Sequence, residues 1–278
     1  MQFDVPAFRA RLDSAQVRGW LPGDAPFYGR SPLQAFEANR AMLSAQDCAR
    51  QQAWIRRSLG RSGFPAVAAG EGAAMEFVRA AAHWLLQRAE CSDVDGSISW
   101  LQITLPEESG EVLPLPPTLY GGLAGMLLVF SAFARELACS ACEDARLRLR
   151  RMLRADVERL LAAGEDSSLF QGCAGPLYAL LQDARLHADP EQLAWVRERA
   201  CDLGKAPLAA GAHDVIAGRA GVMLLLCDLL DAGDDARLGA QLTALGEALM
   251  AARRSERCSW PSDQGEELGG FSHGNSGI

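Results

Sequence analysis

The chain has 278 residues, of which 49% are apolar and 22% charged, and carries a formal net charge of -8. This composition supplies a core and excludes extended disorder, and the acidity argues against nucleic acid, whose phosphates require a basic surface. No apolar run approaches the ~20 residues that span a bilayer, and the start, MQFDVPAFRARLD, has no secretory signal pattern, so a cytoplasmic protein is expected.

In chain order, the first break is GRSGFPAVAAGEG at 60–72, loop-like in composition and the expected domain boundary. Beyond it a short pattern recurs: LYGGLAGMLLVF at 119–130, LFQGCAGPLYALL at 169–181, VIAGRAGVMLLL at 215–226, and the terminal FSHGNSGI. Each reads apolar, any, any, Gly, any, small, Gly, apolar. The first glycines are Gly122, Gly172, Gly218 and Gly274, at intervals of 50, 46 and 56 residues; the second are Gly125, Gly175, Gly221 and Gly277. So regular a spacing marks an internal repeat.

After each of the first three motifs comes an almost unbroken apolar run, suited to a helix buried on most sides. An amphipathic segment then follows. Leu193, Val196, Ala200 and Leu203 form one stripe at helical spacing, and Leu238, Leu242, Leu245 and Leu249 another. Asp189, Pro190 and Gln192 read as an N-cap, a first-turn proline and a capping-box partner. The repeat is thus a buried helix followed by a half-exposed one; such pairs stack as an open superhelix or close into a toroid, and the small residues at each helix start, which allow close backbone approach around a shared axis, favour closure. Helices entering from one rim would aim their positive N-terminal ends at a common cavity, which favours anionic intermediates.

Between the first two motifs lie two further features. Arg146 to Arg154 cluster in RLRLRRMLR, but Leu149, Met152, Leu153, Val157 and Leu160 fall at helical spacing, so a solvated helix face is expected. Eight cysteines in a cytoplasmic protein read as reduced thiols. Cys139 and Cys142 form a CxxC, yet no second pair at zinc-finger spacing and no βαβ pattern accompanies it. The plainer reading is two structural thiols between helices, the sharper a zinc half-site or redox pair.

Function should sit where the repeats differ. Four positions before the first glycine stand Thr118, Ser168, Asp214 and Gly270; one position before it stand Gly121, Gln171, Ala217 and His273. Only the third unit offers a carboxylate there and only the fourth an imidazole, a combination able to share acid and base duties. Asp214 is equally suited to capping a helix, and His273 to a satisfied, semi-buried place. Arg219 is a candidate contact for an anionic group, while Cys173, His213, His83 and His187 read as packing or surface residues.

These motifs, above all GFSHGNSGI, resemble those of the lanthionine synthetase C-like proteins. SWLQITL at 99–105 and EVLPLPPTLYGGLAG at 111–125 further resemble the cyclase half of class II lanthipeptide synthetases, and FDVPAFRARLDS, SPLQAFEANRAMLSAQD and ARQQAWIRRSL in the first 59 residues resemble the end of their dehydratase domain. The resemblance implies an all-α fold: a partial α,α-toroid of about four of seven helix pairs with one small β-hairpin, occupying 73–278, after a helical dehydratase remnant at 1–59. It implies addition of peptide cysteine thiols to dehydroalanine or dehydrobutyrine, closing thioether rings in a precursor peptide. Asp214 and His273 match the family's acid/base pair. The family's zinc ligands, a cysteine and a later Cys-His pair, lie past its GFSHG motif, hence past Ile278, so no metal site is expected here and the chain is expected to be a truncated, inactive segment. Gly121 stands where the family often has an acidic residue. The alternatives are a non-catalytic helical-repeat module that binds a peptide or protein, and a toroid glycosidase, disfavoured because no second rim acid accompanies Asp214.

Overall fold

The structure, a computed structural model, describes residues 9–10, 17–18, 30–42, 73–92, 94–103, 112–203, 212–254, 256, 259–262 and 268–278. The chain divides into two compact units, Met1–Ala66 and Val67–Ile278. The stretch 60–72, read as a linker, lies outside the described residues.

In the first unit, β1 (Arg9–Ala10) pairs antiparallel with β2 (Val17–Arg18). Helix α1 (Pro32–Met42) follows. Its start is a reciprocal capping box: Gln34 N–H donates to Ser31 Oγ at 3.2 Å and Ser31 N–H donates to Gln34 Oε1 at 2.9 Å, with proline in the first turn where an N–H would have no partner.

The second unit opens with α2 (Ala73–Leu86) and two short antiparallel ladders, β3 (Glu90–Cys91) with β4 (Ile98–Ser99) and β5 (Leu101–Ile103) with β6 (Val112–Pro114). A single hairpin is the sequence expectation; three two-residue or three-residue strand pairs are present among the described residues. Trp100 ties this region down: its indole N–H donates to the Leu85 carbonyl at 2.8 Å, and its ring stacks on Phe130 with centroids 5.4 Å apart.

Three helix pairs follow, α3 (Leu123–Leu137) with α4 (Ser140–Ala163), α5 (Ala174–Leu186) with α6 (Pro190–Ala200), and α7 (Arg219–Asp231) with α8 (Ala236–Ala252). The described fold is therefore all-α apart from the short strands. The first helix of each pair packs on its own partner and on the first helix of the next pair, α3 on α5 and α5 on α7. Leu127, Phe130, Leu177, Leu180, Leu181, Leu225, Leu226 and Leu229 are wholly buried along this row. Burying side chains of this size stabilises by about 1.5 to 3 kcal/mol each.

The glycine motifs hold consecutive pairs in register. Tyr120 N–H donates to the Phe170 carbonyl at 3.0 Å, and Phe170 N–H to the Ile216 carbonyl at 3.1 Å. These three residues stand at the same motif position, so the loops lie side by side and α3, α5 and α7 start from one end. None of the eight motif glycines has a positive φ; their role is space. A Cβ on Gly175 would stand 3.0 Å from Leu119 Cβ, one on Gly221 2.9 Å from Leu169 Cβ, and one on Gly277 2.8 Å from Val215 Cγ2. The second glycine of each motif thus receives the apolar residue that opens the motif before it. The first glycines, Gly122, Gly172, Gly218 and Gly274, instead press on backbone of their own loops, and Gly125 faces only the Leu119 carbonyl.

The arginine cluster departs from the solvated face expected of it. Arg146 is 5% exposed and Asp183, on α5, 0%. Arg146 Nη1 donates to both Asp183 oxygens, at 2.9 and 3.1 Å, and its other guanidinium nitrogens hold Glu143. Ser131 Oγ–H donates to Asp183 at 2.6 Å, so the buried carboxylate is shared by α3, α4 and α5. Further along α4, Arg150 pairs with Asp189 at 2.6 Å, and Arg150 and Arg154 both donate to Gln192 Oε1. One face of α4 is thus an ionic seam against the second pair. It also leaves the predicted capping box at α6 half formed: Asp189 accepts from Gln192 N–H at 2.9 Å, but the Gln192 side chain is taken by the arginines.

Candidate functional site: a carboxylate and an imidazole from consecutive glycine loops

The same motif position behaves differently in each loop. Thr118 donates through Oγ1 to its neighbour's carbonyl at Tyr120, and Ser168 bonds to Asp166 within its own loop. Asp214 has two oxygens and uses them in two directions. Oδ1 accepts from Ala217 N–H at 2.7 Å, closing the turn ahead of α7; Oδ2 accepts from His273 Nδ1 at 2.8 Å. Asp214 thus closes a turn through one oxygen and meets His273 through the other; it does not cap α7, whose N-cap, Gly218, receives no side-chain hydrogen bond. A carboxylate is the residue type that permits this, since it accepts several hydrogen bonds at once.

His273 and Asp214 are 59 residues apart in sequence and meet because the third and fourth loops adjoin, with Gly277 seated on Val215. The Asp214 side chain is 18% exposed and that of His273 56%. The carboxylate is therefore the anchored inner member and the imidazole the accessible one. Because a carboxylate only accepts, Nδ1 carries the proton in the neutral imidazole and Nε2 presents its lone pair. Among the described residues no hydrogen bond occupies Nε2.

Arg219, the candidate anion contact, turns onto its own loop. Its Nη1 donates to the Ala212 carbonyl and to His213 Nδ1, both at 3.1 Å. His213 is only 7% exposed. Burial, then the neighbouring guanidinium, push its pKa below the ordinary 6.5, partly opposed by Asp214. As a neutral acceptor it locks Arg219 across the base of the loop that carries Asp214. Nothing in the run HDVIAGRAG signals this contact, because it depends on the loop's fold rather than on spacing.

The remaining candidates lie apart from the pair. Cys173 is fully buried, which pushes its thiol up to about 12 and suits a packing role. His83 is exposed on α2 and hydrogen-bonds Gln87, while His187 bonds the Ser131 carbonyl. Among the described residues, no three His, Cys, Asp or Glu side chains are grouped to hold a metal ion. The described residues therefore do not fit a zinc centre, and no chemistry is derived through one. Nor is any helix among them long and apolar enough to cross a membrane.

Three glycine loops aligned by backbone hydrogen bonds, each opening a buried helix, and a fourth seated on the third through Gly277 and Val215, with an aspartate and a histidine joined across the last two, define a helical-repeat protein with one candidate proton-transfer pair. Residues 114–278 match the family model of the lanthionine synthetase C-like proteins, and the chain belongs to that family. Lanthionine-synthetase-type function is the general class this implies. No curated protein matches the chain in sequence.

Proposed function

We propose that Asp214 and His273 are the proton-handling pair of a cyclase that forms thioether rings in a precursor peptide. The observation that carries this reading is the 2.8 Å hydrogen bond between His273 Nδ1 and Asp214 Oδ2, made by side chains from consecutive glycine loops. With Nδ1–H held by the carboxylate, Nε2 accepts a proton from a cysteine thiol of the peptide. The thiolate adds to the β-carbon of a dehydrated residue, and the double-bond electron pair moves onto the carbonyl as an enolate. The imidazolium, stabilised by Asp214, then returns a proton to the α-carbon. No atom is lost, so the peptide's mass is unchanged. A positioned acid/base group of this kind contributes typically 10²- to 10⁴-fold to a rate.

The class II assignment, with 73–278 as part of a toroidal cyclase and 1–59 as the end of a dehydratase domain, rests on the resemblance of SWLQITL, EVLPLPPTLYGGLAG and the first 59 residues. It is supported by the repeated helix pairs packing in sequence order. This reading replaces the expectation of an inactive segment, because both members of the pair lie within the chain, and its test is incubation of the chain with a peptide bearing one cysteine and one dehydroalanine, followed by thiol alkylation and mass spectrometry. The reading predicts loss of the alkylatable thiol at constant mass, slowed at least ~100-fold in His273→Ala. Peptide binding with no thiol consumption would favour a non-catalytic binding module instead, and unchanged rates in His273→Ala would remove the pair from the chemistry.

A further inference from the structure

The CxxC lies away from the Asp214–His273 pair, and its geometry is more specific than two structural thiols require. Cys139 is the N-cap of α4, a helix of 24 residues, and Cys142 lies in its first turn. Cys142 N–H donates to Cys139 Sγ at 3.4 Å, which draws the Cys139 sulfur over the first turn of α4 beside Cys142. Their exposures differ: Cys142 is fully buried, whereas Cys139 is partly exposed and lines an open cavity of about 400 Å³ together with Arg135, Glu143 and His187.

The asymmetry is chemical as well as steric. The hydrogen bond from the Cys142 thiol, then that from its backbone N–H, lower the Cys139 pKa, and a helix N-terminus adds favourable potential for a thiolate. Burial, with the adjacent Cys139 sulfur, pushes Cys142 up to about 12. Glu143 is the one carboxylate in the cavity wall, and Arg146 holds it through two hydrogen bonds, which limits its repulsion of a thiolate. Arg135 from the end of α3 and His187 from the end of α5 are the other titratable groups in the wall.

We propose that Cys139 and Cys142 form a thiol–disulfide exchange site that reacts with small disulfides entering this cavity. The Cys139 thiolate attacks one sulfur of the disulfide, breaking its S–S bond, forming a mixed disulfide and releasing the first small thiolate. Cys142 gives its proton to that departing thiolate and attacks the Cys139 sulfur, which expels the second small thiolate. Two electrons pass from the protein dithiol to the disulfide, leaving a Cys139–Cys142 bond, one small thiol and one small thiolate, which takes up from solvent the proton that Cys139 released on ionising. The site is independent of the cyclase reading.

The experiment uses the full chain, equilibrated in glutathione buffers of graded oxidised fraction, quenched, alkylated and digested with trypsin. The peptide 136–146, ELACSACEDAR, contains both cysteines and no other. The expected result is loss of two hydrogens and of both alkylatable thiols in that peptide as the buffer becomes oxidising. In Cys142→Ala the same buffers should leave a glutathione adduct trapped on Cys139, while Cys139→Ser should leave Cys142 unmodified. A peptide 136–146 that stays fully alkylatable in the wild-type chain, in the most oxidising buffer that preserves its circular dichroism, would overturn the proposal. So would a wild-type glutathione adduct that persists without closing to the internal disulfide. Both readouts use the wild-type chain and survive a failure of either variant to fold.

Discussion

Leu169 and Gly221 meet across the boundary between the second and third helix pairs, where a Cβ on the glycine would stand 2.9 Å from the Leu169 Cβ. The same relationship joins Leu119 to Gly175 and Val215 to Gly277. The recurring motif is thereby explained as a joint: its first apolar residue is a plug and its second glycine is the socket for the preceding unit's plug.

Gly221→Ala should therefore destabilise the second unit. Backbone at Val215 and the Leu169 side chain must both shift, an overpacking cost of about 1 to 3 kcal/mol. Gly239→Ala is the internal control, because nothing lies within 4 Å of its Cβ position on α8, and replacing an unconstrained helical glycine stabilises by roughly 0.5 to 1 kcal/mol. Urea midpoints that move in opposite directions for the two variants are the expected outcome.

The buried carboxylate of Asp183 invites a second comparison. Asp183→Ala leaves Arg146, itself 5% exposed, with only Glu143 as ionic partner, and breaking a buried pair typically costs about 3 to 5 kcal/mol. Asp144→Ala removes the exposed partner of Arg148, where a loss of no more than about 1 kcal/mol is expected. Equal, small losses in thermal melts of the two variants would contradict the ionic seam.

His213 gives a pH dependence whose direction follows from its environment. Burial and Arg219 depress its folded pKa below 6.5, so below the unfolded value the unfolded chain binds more protons than the folded one. Its contribution is fully present above the unfolded pKa and is lost as pH falls through the window down to the depressed folded value. Protonation also removes the acceptor for Arg219. His213→Asn, which keeps an acceptor near the Nδ1 position but does not titrate, should flatten the fall in urea midpoint as pH drops below 6.5.

Much of the repeat was legible because its causes are local in sequence. Apolar runs after Gly122, Gly172 and Gly218, and the stripes at Leu193 to Leu203 and Leu238 to Leu249, encode burial directly through helical period. Asp189 and Pro190 likewise announce the start of α6. What remained hidden depends on neighbours distant in sequence. Arg146 looks solvated until α5 brings Asp183 against it, and Gln192 looks like a capping partner until Arg150 and Arg154 claim its oxygen. For the candidate site, comparing motif positions picked out Asp214 and His273 as residue types. It carried no information on Arg219 closing over His213, since that contact is set by the path of one loop.

The most direct measurement is a double-mutant cycle on initial rates of thioether formation, using Asp214→Asn, His273→Gln and the double variant with one dehydrated peptide. If the carboxylate acts by holding and charging the imidazole, its removal matters only while the imidazole is present, so the double variant should be no slower than His273→Gln within about threefold. Losses that multiply, with each residue contributing its full factor in the absence of the other, would contradict a single proton-handling unit.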